Sequence, residues 1–249
     1  MKKNSAPNCA KETLAALNAA GDERVAAQAR KYFKPHERVQ VIGVKSAKIY
    51  EIEKRIFAAV KPAWLLTDAV QFCDILIRNR FLEAKSVGIV LLSRYHKQYD
   101  KSLLETIHSW LADGHCGNWA ATDVLSGRVL SPLLKRFPEL LQRVAGWTQS
   151  ANLWVRRAAV VSLTPLARRG EHLDVAYAVA ESLLDDSEDL MHKAVGWLLR
   201  ECGKTDDSRL EAFLLAHGAR IPRTTLRYAI ERFPEPRRKR LLVATRSAS

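Results

Sequence analysis

The sequence predicts an all-α protein organised as a helical-repeat solenoid (an α-α superhelix), and three observations carry that prediction. Two segments 36 residues apart superimpose, Leu153-Trp154-Val155-Arg156-Arg157-Ala158-Ala159 and Leu190-Met191-His192-Lys193-Ala194-Val195-Gly196-Trp197, with Arg157 on Lys193 and Ala158 on Ala194. A third copy, Leu82-Glu83-Ala84-Lys85-Ser86-Val87-Gly88, places Lys85 a further 72 residues upstream, twice the same step. Sustained period-two alternation is missing, whereas start and stop signals for helices recur along the whole chain. A basic residue followed by a small one at a fixed period suggests stacked helix pairs of the HEAT type. The 249 residues suffice for about six such pairs in one repeat domain over 1–249, with residues 1–10 and 237–249 expected as flexible ends.

Each element follows from local signals. Glu12 to Ala20 and Glu23 to Phe33 form a first pair, broken by Gly21-Asp22. Lys34 to Gly43 is the least helical stretch and reads as a loop. Ser46 then caps a helix to about Val60, with Ile49, Ile52, Ile56 and Ala59 on one face. Pro62 opens the next helix, to about Arg78, and Leu82 to Tyr95 follows. Further helices are expected over 101–112, 118–127, 129–136, 138–148, 151–168, 171–184, 188–202, 207–216 and 222–232. Asn118, Ser187 and Pro222 stand at starts, and Gly114, Gly170, Gly203 and Gly218 stand where helices should stop.

The charge balance narrows the partner. Forty Lys and Arg against 27 Asp and Glu leave +13, with a pI near 9.8, and such a surplus favours a polyanion. Repetition of the basic residue at one point of each unit would line a face of the array with that charge. The end of the chain adds to it: residues 220–249 carry nine Arg and Lys against two Glu, including Arg237-Arg238-Lys239-Arg240. Met1 to Ala10 has no apolar stretch behind its lysines and so is not a secretory signal. No apolar run approaches the roughly 18 residues needed to span a bilayer, so no membrane role is expected. Cys9, Cys73, Cys116 and Cys202 are scattered without a CxxC pair, as for reduced thiols in a cytoplasmic protein. His115-Cys116 has no second pair of ligands to join it; neither a metal nor a cofactor is expected. A monomer is the default, since no symmetric apolar face is evident.

Chemistry is expected around Trp119 and Asp123, four residues apart and so on one helical face. An indole offers a polarisable surface to a cation or a sugar, and the carboxylate offers fixed negative charge beside whatever becomes positive. Arg157 and Trp197 occupy comparable positions in the two following repeats, and an arginine can hold a phosphate through its fork of donors. Lys85, Arg156 and Lys193 complete the set of residues expected to contact a polyanion, a nucleic acid being the first to consider. Each also has a structural reading: a Trp at helical spacing is commonly core, an Asp on a helix commonly faces solvent, and an Arg after an Arg is commonly exposed. A second copy of the pattern, Trp64-Leu65-Leu66-Thr67-Asp68, matches the W-x-x-T-D of Trp119 to Asp123. Spacing does not choose between them; the later copy is favoured by its place just before the two basic repeats.

The ordered blocks Asn118-Trp119-x-x-x-Asp123, Trp154-Val155-Arg156-Arg157-Ala158-Ala159 and Lys193-Ala194-Val195-Gly196-Trp197-Leu198-Leu199-Arg200-Glu201 resemble the bacterial DNA alkylation repair family, the AlkD-like DNA glycosylases. The similarity continues through Arg223-Thr224-Thr225-Leu226-Arg227-Tyr228-Ala229-Ile230-Glu231. More weakly, it reaches back through Tyr32-Phe33 and Gly43-Val44 to Glu83, covering about residues 25–235. The resemblance implies a HEAT-like solenoid that wraps duplex DNA in a basic concave groove and removes cationic N3- or N7-alkylated purines. It implies that Trp119 and Trp197 pack against the deoxyribose and backbone of the damaged nucleotide. Asp123 would be the catalytic carboxylate, Arg157 would engage the backbone near the lesion, and Trp154 would lend support. Lys34 to Gln40 departs from the family's loop.

The chemistry agrees with these residues. Alkylation at N3 or N7 makes the base cationic, so it leaves neutral and needs no strong general acid. Charge then moves to the sugar as an oxocarbenium-like centre, which a carboxylate stabilises more than it does the ground state. Most glycosylases flip the base into a pocket; the family resembled contacts its lesion through the backbone with little or no flipping. Two alternatives use the same residues differently: a DNA-binding or damage-sensing relative without the chemistry, and a scaffold for an acidic protein.

Overall fold

The structure, a computed structural model, describes residues 4–34, 37 and 39–246. The first three residues of the expected N-terminal end, residues 35, 36 and 38 of the expected loop, and 247–249 lie outside the described residues. The fold is all-α: α1 (Ala6–Ala19), α2 (Glu23–Arg30), α3 (Ser46–Val60), α4 (Leu66–Ile77), α5 (Leu82–Ser93), α6 (Leu103–Ala112), α7 (Trp119–Leu125), α8 (Ser131–Arg136), α9 (Leu141–Ala145), α10 (Leu153–Ala167), α11 (Leu173–Ser182), α12 (Asp189–Cys202), α13 (Asp207–His217), α14 (Arg223–Ala229) and α15 (Glu235–Ala244). Among the described residues there is no strand, only an isolated parallel bridge between Gln40 and Phe81. This is consistent with a helical-repeat solenoid. No helix among the described residues is long and apolar enough to cross a membrane.

The chain forms two compact units, Met1–Arg136 and Phe137–Ser249. In the first, α5 is the central helix, packed on α3, α4 and α7. Its residues Ala84, Val87, Ile89, Leu91 and Leu92 are wholly buried. Gly88 lets α4 come close, since a Cβ there would lie 3.1 Å from the Leu76 Cβ. Leu76, Phe72, Leu104, Ile107 and Trp110 fill the rest of this core. In the second unit α10 and α12 pack together, α11 covers both, and α14 lies on α12. The three copies of the basic repeat therefore begin the helices at the centre of each unit, and the small residues Ala158 and Ala194 after the basic position are buried in the second unit.

Buried carboxylates tie the helices together. Glu53 on α3 is fully buried and takes two hydrogen bonds from Arg94, at 3.0 and 2.8 Å. Glu83 at the start of α5 accepts from the backbone N–H groups of Ile42 (3.0 Å), Gly43 (2.8 Å) and Val44 (3.3 Å). This carboxylate satisfies a loop that no sheet or helix serves. Gly43 is required there: its φ is +89°, and a Cβ would lie 2.1 Å from the Asp22 carbonyl oxygen. Glu201 on α12 binds Arg168 (2.7 Å) and Lys204 (2.5 Å).

Several boundaries differ from expectation for physical reasons. α1 starts at Ala6 rather than Glu12 because Ala6, Cys9 and Ala10 are buried, with Pro7 in its first turn. α4 starts at Leu66, after Asp68 has turned back to accept from the Leu65 N–H at 2.9 Å. Ser46 is the first helical residue of α3, with Lys45 at the cap position. The helices expected over 118–127 and 129–136 join without a break through a π-helical turn, Ser126–Leu130. The basic run 237–240, expected in a flexible end, lies in α15, an element the sequence reading missed. Arg237 there pairs with Asp207 (2.5 Å) and Glu211 (2.6 Å) and covers the Phe233 ring at 4.0 Å, while Arg240 also pairs with Glu211.

Candidate active site

Asp123 and Trp119 stand on α7, and the local sequence explains why that short helix forms where it does. Asn118 caps it, its Oδ1 accepting from the Ala121 N–H at 2.9 Å. Thr122 donates to the Cys116 carbonyl at 2.7 Å, and Ser126 donates to the Thr122 carbonyl at 2.7 Å. With Asn118 serving the cap, Asp123 is not drawn into one. The earlier copy of the pattern is used differently: Asp68 caps α4, and Trp64 is buried with its indole N–H on the Asn4 carbonyl at 2.8 Å. Trp119, by contrast, is half-buried and stacked on Phe33, with ring centroids 5.2 Å apart and 26° between planes. Asp123 is half-buried one turn further along the same face.

Lys85 lies beneath this segment. Its side chain is buried, and its ammonium donates to the carbonyls of Ile77 (2.5 Å) and His115 (2.8 Å). Burial pushes that ammonium below its ordinary range, against an opposing influence of Cys116. Lys85 thus holds the residues that lead into the Asn118 cap. His115 sits with Nε2 2.9 Å from Arg78; burial and then Arg78 lower its pKa. Among the described residues no group of His, Cys, Asp or Glu could hold a metal.

The other expected residues belong to the second unit. Asn152 caps α10, accepting from the Trp154 N–H at 2.8 Å, and this fixes the turn that carries both arginines. Arg156 is pinned to Asp186 at 2.8 Å and to the carbonyls of Ser150 (2.9 Å) and Ala151 (3.0 Å). Arg157 is 5% exposed and donates to the Leu190 carbonyl, at 2.5 Å, in the first turn of α12. Lys193, a turn further on, pairs with Asp189 at 2.8 Å. That hydrogen bond holds its ammonium above the ordinary range, and Tyr228 and Arg157 are both near enough to bear on it. Trp197, four residues after Lys193 on the same face, is half-buried. Arg157 and Lys193 therefore gather around the start of α12, with Trp197 one turn beyond Lys193 on the same face.

Sequence reasoning passed over four contributors. Phe33 was noted only as part of a weak match, and nothing in one sequence pairs it with Trp119. Glu83 belongs to the third repeat copy, yet its hold on residues 42–44 spans about 40 positions. Gly196 and Gly88 did leave a signal, since each stands three residues after the basic position of its repeat.

The fold and these residues define an all-helical protein with a carboxylate and an indole on one capped helix and cations gathered at another. Among solved structures the chain is similar to a predicted DNA alkylation repair enzyme from Enterococcus faecalis. The TM-score is 0.74 at 16% identity, covering 86% of this chain and 97% of that one. No curated protein matches. The family model for DNA alkylation repair enzymes matches residues 13–233, and the chain belongs to that family.

Proposed function

We propose that this protein is a DNA glycosylase that hydrolyses the N-glycosidic bond of cationic N3- or N7-alkylated purines in duplex DNA. The observation that carries the reading is the contrast between the two W-x-x-T-D copies. Asp68 caps α4 beside a buried Trp64, whereas Asp123 stands past the first turn of α7, half-buried and one turn from a half-buried Trp119. Membership of the DNA alkylation repair family supports alkylated DNA as the substrate, and the +13 charge suits a duplex.

In this reading Lys193 supplies a cation to the backbone, the buried Arg157 guanidinium adds charge from behind it, and Trp119 and Trp197 pack against deoxyribose. Lys85 and Arg156, whose donors meet carbonyls and Asp186, act on the duplex through the segments they hold. The cationic base leaves as a neutral group, and the Asp123 carboxylate stabilises the oxocarbenium-like sugar and orients the attacking water. No base flipping, metal or cofactor is invoked, and the active species is a monomer.

The test is release of methylated purines from a duplex treated with a simple methylating agent. Asp123→Asn is expected to lower excision by roughly 10²–10³-fold with duplex affinity kept. Asp68→Asn should excise like wild type and lose only about 1 kcal/mol of helix-cap stability. Excision by Asp123→Asn at the wild-type rate would remove the mechanism. Duplex binding without release from wild type would instead make the protein a DNA-binding or damage-sensing member of its family.

A further inference from the structure

A second feature of α12 points to a phosphate-binding position beyond the residues already assigned. A Cβ on Gly196 would meet the Tyr228 Cβ at 2.5 Å and the Thr225 carbonyl oxygen at 2.6 Å. Only glycine permits that approach, and Thr225 anchors it from beneath by donating to the His192 carbonyl at 3.0 Å. Gly196 lies three residues after Lys193 on the same face of α12, so Tyr228 is seated beside Lys193. The phenol is 37% exposed, and its hydroxyl makes no hydrogen bond among the described residues. An aromatic side chain of this size is commonly packed inward or bonded through its hydroxyl; here it is held at the surface with its donor unused.

We propose that the Tyr228 hydroxyl and the Lys193 ammonium together bind one phosphodiester of the duplex backbone. The chemistry suits an anion with several acceptor oxygens: a neutral O–H donor beside an ammonium, with the Arg157 guanidinium nearby. Asp189 is no obstacle. Its pair with Lys193 is half-exposed at 38% and 44%, and such pairs are weak enough for a phosphate to displace. The inference rests on the reading that a duplex is the partner; it does not depend on Asp123.

The experiment is the affinity of the full chain for an unmodified duplex over a range of salt concentrations. Tyr228→Phe keeps the Cβ that packs against Gly196 and the whole ring, and removes only the hydroxyl, so its folding is preserved. It is expected to bind roughly 10-fold more weakly with an unchanged salt slope, because a neutral donor displaces no counterion. Lys193→Met should also weaken binding and lower the slope by about one. The double variant should lose less than the product of the two, since both contact one phosphate. Wild-type affinity for Tyr228→Phe, or losses that multiply fully, would overturn the proposal. A wild-type chain that does not bind duplex overturns it together with the DNA reading, whereas binding without base release overturns only the glycosylase chemistry.

Discussion

At the scale of single residues, the same side-chain type does different work according to what else its segment supplies. Asp68 and Asp123 sit in one local pattern, yet the helix starts two residues later in the first copy. Asp68 therefore falls in the first turn of α4 and caps it, whereas Asp123 falls past the first turn of α7, which Asn118 caps. Among the cations, Lys85 and Arg157 reach backbone carbonyls at 2.8 and 2.5 Å, so a repeated basic position in the sequence is partly a repeated internal tether. Glu201 shows how such internal charge sets stability. Burial alone would raise its carboxyl pKa, but hydrogen bonds from Lys204 and Arg168 outweigh that and hold it below the ordinary 4.5. Its folded value lies below its unfolded value, so its contribution is complete above about pH 4.5 and is lost as pH falls through the folded value. Glu201→Gln is therefore expected to cost about 1–3 kcal/mol near neutral pH, with the gap in Tm closing in acid. A gap independent of pH would show that the carboxylate is not what stabilises.

At the scale of elements, glycines at repeated positions decide how closely helices meet. A Cβ on Gly196 would meet the Tyr228 Cβ and a backbone oxygen at 2.5 and 2.6 Å, whereas one on Gly88 would meet the Leu76 Cβ and the Cys73 Cα at the looser 3.1 and 3.3 Å. Gly196→Ala should thus force α12 and α14 apart and cost about 1–3 kcal/mol, seen as a fall of several degrees in Tm. Gly88→Ala should be near neutral, because slight crowding is offset by about 1 kcal/mol of helix propensity. Equal losses at the two sites would contradict these geometries. Helix identity was legible in the sequence here, since periodicity and caps located most elements. What escaped was set by contacts distant in sequence. The π turn over Ser126–Leu130 has no residue signature that separates it from two abutting helices. α15 reads as a charged tail until Asp207 and Glu211 on α13 are seen to receive Arg237.

At the scale of the whole molecule, the ordered blocks that suggested a family are the ones its model spans, 13–233. The candidate site was legible to a lesser degree. Trp119 and Asp123 emerged from spacing, but their separation from the decoy at Trp64 and Asp68 required knowing which residue caps which helix. The net charge likewise states how many cations exist and not which of them face outward: Arg156 and Arg157 are largely turned to carbonyls and Asp186.

The four cysteines are free and buried. Burial raises all of their thiol pKa values, to about 12 for Cys116 and Cys202. A thiolate, not a thiol, is what electrophiles consume. A protein whose family repairs alkylated DNA works where alkylating reagents are present, and a packed interior keeps its most reactive side chains protonated and out of their reach. The native chain should accordingly show almost no thiol titratable by a disulfide reagent near neutral pH, and four once denatured. Rapid titration of the folded chain would mean that this shelter opens. If it holds, chemical endurance under the conditions that create the substrate is a by-product of core packing.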